Sequence, residues 1–116
     1  MTLKPKPTGD PRAPIPDFDE LVHQRTRLRI IVAIAEARHV TFTTLGSILQ
    51  LSDGNLGRHL AILEQHGLIA TRQTVREGRS VKEIELTASG SRALRRELDS
   101  FAVLVSNITK RGILEQ

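Results

Sequence analysis

Ser52, Asn55 and Arg58 recur every third residue in the run Ser-Asp-Gly-Asn-Leu-Gly-Arg-His-Leu-Ala-Ile-Leu-Glu-Gln-His-Gly, residues 52–67. A hydroxyl, a carboxamide and a guanidinium at that spacing suit hydrogen bonding to phosphates and base edges. The spacing matters because the segment reads as one helix. Leu56, Leu60 and Leu63 fall at i, i+4, i+7 and form a single apolar stripe. Advancing by about 100° per residue, the opposite face presents Gly54, Arg58, Ala61, Ile62 and Gln65, with Asn55 and His59 on its flank and Asp53 and Glu64 to the side. Arg58, at the centre, is placed for a bidentate contact to guanine; the competing reading is a solvated or salt-bridged arginine. Asn55 fits adenine, a phosphate or a share in capping the helix. Ser52 caps the first turn, and with its free amides is suited to hold a phosphate at the positive end of the helix dipole. His59 suits a phosphate contact or packing against a neighbouring hairpin. Gly54 and Gly57 each cost about 1 kcal/mol against alanine, which close approach by a neighbouring helix or a ligand would explain. Gly67 supplies the left-handed stop.

A second basic cluster follows. Arg76 and Arg79 flank Gly78, with Arg72 and Lys82 further out. Arginine at a hairpin tip suits a narrow, electronegative minor groove or its phosphates, the alternative being a solubilising hairpin. Between Asp53 and Lys82 there are five Lys/Arg against three Asp/Glu, a modest excess that favours an anionic partner.

Catalysis has little to work with. The four histidines, His23, His39, His59 and His66, are scattered, and none is paired with a serine or an acid at a suggestive spacing. His59 and His66 lack a third ligand, so no metal or cofactor is expected. Cysteine is absent, which excludes disulfides and thiolate chemistry. The net charge of +4 favours an anionic partner. With only Phe18, Phe42 and Phe101 as aromatics, a stacking platform for single strands is poorly supplied, and double-stranded DNA is the better match. Structured RNA fits less well, because its narrow A-form major groove would not admit this helix. No run approaches the roughly 18 apolar residues of a membrane span, and the N-terminus has no apolar signal region, so a cytoplasmic, single-domain protein is expected.

The positioning elements read as follows. All five prolines lie in the first 16 residues beside Lys4, Lys6 and Arg12, an extended basic arm suited to phosphates or to no partner at all. A broad-faced core helix spans Asp19 to about Ala37, with Leu21, Leu28, Ile31, Val32 and Ala35 on one face and Ile30 and Ile34 widening it. Val40–Phe42 is extended. A second helix, capped by Thr43 or Thr44, carries Leu45, Ile48 and Leu49 inward to about Gln50. A short turn then leads into the helix from Asp53 to His66, a helix-turn-helix arrangement. Strands at Leu68–Val75 and Val81–Leu86 enclose a loop over 76–80. Thr87 caps a last helix from about Ala88 to Ile108, whose Leu94, Leu98, Phe101, Val105 and Ile108 alternate in steps of four and three. That seam suits pairing of two copies, or docking on the first helix of the same chain.

Leu51 through Leu60, then Leu63-Glu64-Gln65-His66-Gly67-Leu68-Ile69, Arg76-Glu77-Gly78-Arg79 and Leu86-Thr87-Ala88-Ser89-Gly90 together resemble the short winged helix-turn-helix transcriptional regulators related to the MarR and ArsR groups. The resemblance covers about 19–108. It departs where Gln50 stands in place of a common glycine, and in lacking the cysteines of metal-sensing relatives. It implies an α+β, mainly α fold of order α-β-α-α-β-β-α, with a long C-terminal dimerisation helix. The expected organisation is a flexible basic arm (1–17), a DNA-binding winged helix-turn-helix domain (18–87) and the dimerisation helix with a short tail (88–116). The expected function is a homodimeric, sequence-specific DNA-binding regulator, not an enzyme, with an effector of unknown chemistry left open. The DNA-binding residues would be Ser52, Asp53, Gly54, Asn55, Arg58, His59, Ile62, Arg72, Arg76, Arg79 and Lys82. The alternatives are a winged-helix protein–protein adaptor, to which a basic hairpin and an Arg58-centred face are unnecessary, and a non-specific architectural DNA binder.

Overall fold

The computed structural model describes residues 15–110 and Gly112; the basic arm before residue 15 lies outside them. Eight elements follow in order: α1 (Glu20–His23), α2 (Arg25–Ala37), β1 (Val40–Thr41), α3 (Phe42–Leu49), α4 (Asp53–Gln65), β2 (Ile69–Arg76), β3 (Arg79–Leu86) and α5 (Ala88–Lys110). The three strands form an antiparallel sheet of order β1-β3-β2. This is the winged-helix arrangement, mainly α, with a long C-terminal helix.

The single first helix expected from residue 19 is in fact two. Gln24 takes an extended conformation (φ −53°, ψ 129°), and its side-chain oxygen accepts from the Arg27 amide at 2.8 Å, capping α2. The Leu21 carbonyl instead accepts from Arg27 Nε at 2.7 Å. Local side-chain bonds of this kind compete with a continuous helix, which hydropathy periodicity does not register. The buried centre of α2 is Ile30, Ile31 and Ile34, all fully enclosed, while Leu28, Val32 and Ala35 are only half-buried.

Thr41, rather than Thr43 or Thr44, caps α3, its hydroxyl accepting from the Thr44 amide at 3.2 Å. Leu45 and Leu49 go inward, but Ile48 is exposed. Gln50 ends α3 in the left-handed region (φ 55°), with the Leu51 amide bonded to the Gly46 carbonyl at 3.0 Å. The αL stop that glycine usually supplies is therefore made here by glutamine.

Leu56, Leu60 and Leu63 of α4 meet Ile30, Ile31 and Ile34 of α2, Leu45 of α3 and Ile84 of β3 in one core. Gly67 has the positive φ expected of it (73°). The Thr87 hydroxyl then does two things. It accepts from the Gly90 amide at 3.0 Å as the N-cap of α5, and it donates to the Gly67 carbonyl at 2.6 Å. A β-carbon at Gly90 would overlap the Leu68 carbonyl oxygen. The Leu-Thr-x-x-Gly motif is thus the joint where α5 presses against the chain leaving α4.

Candidate nucleic-acid interface

Ser52 Oγ accepts from the Asn55 amide at 3.2 Å, so the expected cap is formed and the first turn of α4 is exposed at Ser52, Asp53 and Gly54. Arg58 is exposed one turn on, and its Nη2 donates to Asn55 Oδ1 at 2.8 Å. The pair presents a guanidinium donor beside a carboxamide that both donates and accepts, on a shelf that also carries Ala61 and half-buried Ile62. Apart from the helix's own backbone, no atom of the described residues lies within 4 Å of a β-carbon placed on Gly54 or Gly57. The two glycines therefore owe nothing to a neighbouring helix, contrary to one of the two explanations open from the sequence.

His59 does not belong to this surface. It is 8% exposed and turned inward, with Nδ1 3.4 Å from Arg27 Nη1 on α2. Burial first, and then the Arg27 and Arg58 guanidiniums, hold its imidazole below the ordinary histidine range. A neutral ring accepting from Arg27 fits that setting. Its position at the edge of the helical face was legible in the sequence, but Arg27 reaching across from the α1–α2 break was not. Its polar contact is with Arg27 of α2.

The hairpin is tighter than the sequence pattern suggested. The strands run into the expected loop until Arg76 pairs with Arg79, leaving Glu77 and Gly78 as a two-residue turn with φ of 53° and 77°. Two positive φ values are those of a type I′ turn, whose twist matches that of the strands. Counting out from the turn sets Val75 opposite Ser80, Gln73 opposite Lys82 and Arg72 opposite Glu83. One face thus carries Gln73, Val75, Ser80 and Lys82, and the other Arg72, Arg76, Arg79 and Glu83.

The four basic residues consequently differ. Arg76 Nη2 donates to Glu83 Oε1 at 2.8 Å, and Arg72 Nη2 stands 3.7 Å from Glu83 Oε2. Both had been expected to face an outside anion; each instead has an internal one. Arg79 is exposed, and its side chain has no hydrogen bond or ion pair to another described residue. Lys82 holds its ammonium 5.7 Å from the Phe42 ring centroid, within cation–π range, at an open cleft shared with Thr41, Thr43, Gln73 and Ser80. Glu83 is the residue the sequence reading missed. The two-residue turn would have fixed the register and found it, but Glu-Gly is a weaker hairpin signal than Asn-Gly or Asp-Gly. The hairpin is tied to α4 where Thr71 Oγ1 donates to Glu64 Oε2 at 2.7 Å.

On α5 the expected seam divides. Leu94 packs against the core. Phe101 lies 4.9 Å from the Phe18 ring and 5.6 Å from the His23 ring of the same chain, and His23 Nδ1 meets buried Glu97 at 2.5 Å. Ile108 is half-buried, while Leu98 and Val105 stand 48% and 55% exposed beside an open groove lined also by Ala102 and Ser106. Among the described residues no helix is long and apolar enough to cross a membrane.

The profile of a family described as "winged helix DNA-binding domain" matches residues 26–105. An uncharacterized protein of Methanocaldococcus jannaschii is 32% identical over 82 residues, which are 71% of this chain and 89% of that relative. Among solved structures, that of a transcriptional regulator homologue from Pyrococcus horikoshii OT3 superposes with a TM-score of 0.73 at 26% identity, covering 78% of this chain and 89% of that one. A mutant MarR from E. coli complexed with operator DNA shares the fold, with a TM-score of 0.56 at 22% identity over 61% of this chain and 50% of that one.

Proposed function

The chain belongs to the winged helix DNA-binding domain family, and from that premise we propose that it is a homodimeric transcriptional regulator that reads a specific sequence in double-stranded DNA. The observation that carries this reading is the outer face of α4. Arg58 and Asn55 stand exposed or half-exposed on small neighbours, while the opposite face, Leu56, Leu60 and Leu63, is locked into the core. A helix anchored that firmly can present its polar edge to a major groove with little further loss of backbone freedom. Arg58 suits guanine O6 and N7, Asn55 suits adenine or a phosphate, and the capped first turn at Ser52, Asp53 and Gly54 suits a phosphate. Ile62 supplies apolar contact along the same face. The open space that the described residues leave over Gly54 supports close approach by a ligand there. The hairpin tip meets the minor groove or its phosphates through Arg79, with Lys82 behind it.

The open Leu98–Val105 stripe on α5 supports pairing of two copies along the seam Leu94, Leu98, Phe101, Val105 and Ile108, of which Leu94 also packs on the chain's own core and Phe101 on Phe18 and His23. In this organisation 18–87 binds DNA and 88–116 pairs the subunits. A two-fold axis then sets two α4 helices about one DNA turn apart on a near-palindromic site. Occupancy of that site at a promoter blocks or aids polymerase.

Sedimentation equilibrium combined with titration of a mixed-sequence duplex tests this. The expected result is a dimer that binds with strong salt dependence, losing about 10³–10⁵ in affinity between 50 and 200 mM salt if six to ten phosphates are contacted. A salt-independent or undetectable interaction with duplex would reject the proposal in favour of a protein partner.

A further inference from the structure

Glu83 is an acid in an unexpected place. It sits on the central strand, between Thr41 of β1 and Arg72 of β2, and is only 9% exposed, although its neighbours Arg72 and Arg76 are largely exposed. A carboxylate offers a guanidinium the same paired oxygen edge as a phosphate does. Glu83 therefore engages, within the protein, one donor nitrogen of Arg76 and the charge of Arg72, groups that DNA would otherwise attract. Drawing Arg76 away is opposed twice: its own bond is lost, and a nearly buried carboxylate is left with weaker compensation. That carboxylate would also then lie close to the incoming phosphate.

We propose that Glu83 selects which basic side chains of the hairpin reach DNA, retaining Arg76 and Arg72 on the sheet and leaving Arg79 and Lys82 to meet phosphates. Glu83 is thus a positioning residue: it sets the number of phosphate contacts without making one. This rests on the reading that the protein binds duplex DNA.

The salt dependence of binding counts phosphate contacts, each adding about 0.9 to the slope of log affinity against log salt. It is measured with the full chain and a mixed-sequence duplex. Arg79→Gln should flatten the slope by about 0.9, whereas Arg76→Gln should leave it nearly unchanged. Glu83→Gln should steepen it by about 0.9 for each guanidinium released, an extra loss of roughly threefold between 50 and 200 mM salt. Glu85→Gln removes the same charge from the same face of the same strand, but its partner is His39 at 3.2 Å and no arginine is freed, so its slope should match the unmodified chain. Equal slopes for Glu83→Gln and Glu85→Gln would overturn the proposal, because bulk charge would then explain any gain. So would flattening by Arg76→Gln equal to that of Arg79→Gln, an arm that needs no change at Glu83 and decides the matter if Glu83→Gln does not fold. An unmodified chain that binds no duplex would remove the functional reading beneath it as well.

Discussion

The α4 helix and the β2–β3 hairpin both carry arginine at the surface, yet their arginines are in different states. Arg58 on α4 is tethered to a neutral carboxamide one turn away, a bond that a base edge can replace at little cost. Arg76 on the hairpin is tethered to a nearly buried carboxylate from the adjacent strand, and Arg72 shares it. Hydrogen bonds to ionised groups are roughly twice as strong as those between neutral groups. The same residue type on an exposed face is thus available in one element and committed in the other. What decides this is the partner each element places beside it: on the helix it comes from three residues away, on the hairpin from seven.

Helix and hairpin share one support. Gly90 presses α5 onto the Leu68 carbonyl, where the chain passes from α4 into β2. Gly90→Ala should cost about 3 kcal/mol or more by overpacking, read as a lower urea midpoint, and should damage helix and hairpin together; an unchanged midpoint would show that α5 is not seated on that joint. The next largest effect sharpens the contrast. Arg58→Ala should cost about 1–3 kcal/mol of discrimination between the preferred sequence and a mismatched one, measured by competition titration. The same replacement at Arg76 should leave discrimination alone.

A smaller effect should carry opposite signs in two assays. Gly54→Ala adds a methyl where the protein has open space, so it should stabilise the fold by up to about 1 kcal/mol while weakening binding to duplex. If stability and affinity rise together, nothing approaches α4 closely at that position. The smallest effect concerns His59. Its pKa is lowered in the folded state, so the unfolded chain binds more protons as pH falls below the ordinary histidine value near 6.5. Stability should be fully present above that pH and decline below it, and His59→Asn should flatten this part of the pH–stability profile.

Much of this was legible in the sequence. The Leu56, Leu60, Leu63 stripe, the Ser52 cap and the Thr87 cap follow from local chemistry and periodicity, and the structure has them as expected. What was not legible depends on side chains meeting across elements. Gln24 breaks the first helix through its own amide, and Arg27 uses that break to reach His59. Glu83 meets Arg76 only because Glu77 and Gly78 both accept positive φ and pull the strands into register one pair beyond the expected loop. Apolar periodicity locates a face; it does not say which polar groups on that face already have partners inside the protein.

Whether the outer face of α4 reads sequence is decided by selection from a randomised duplex pool. The unmodified chain and Arg58→Ala would be run side by side, with the bound fraction sequenced. The expected result is a two-fold symmetric motif for the unmodified chain that collapses in Arg58→Ala, while residual salt-sensitive binding persists. An identical motif from both proteins, or no motif from either, would contradict it.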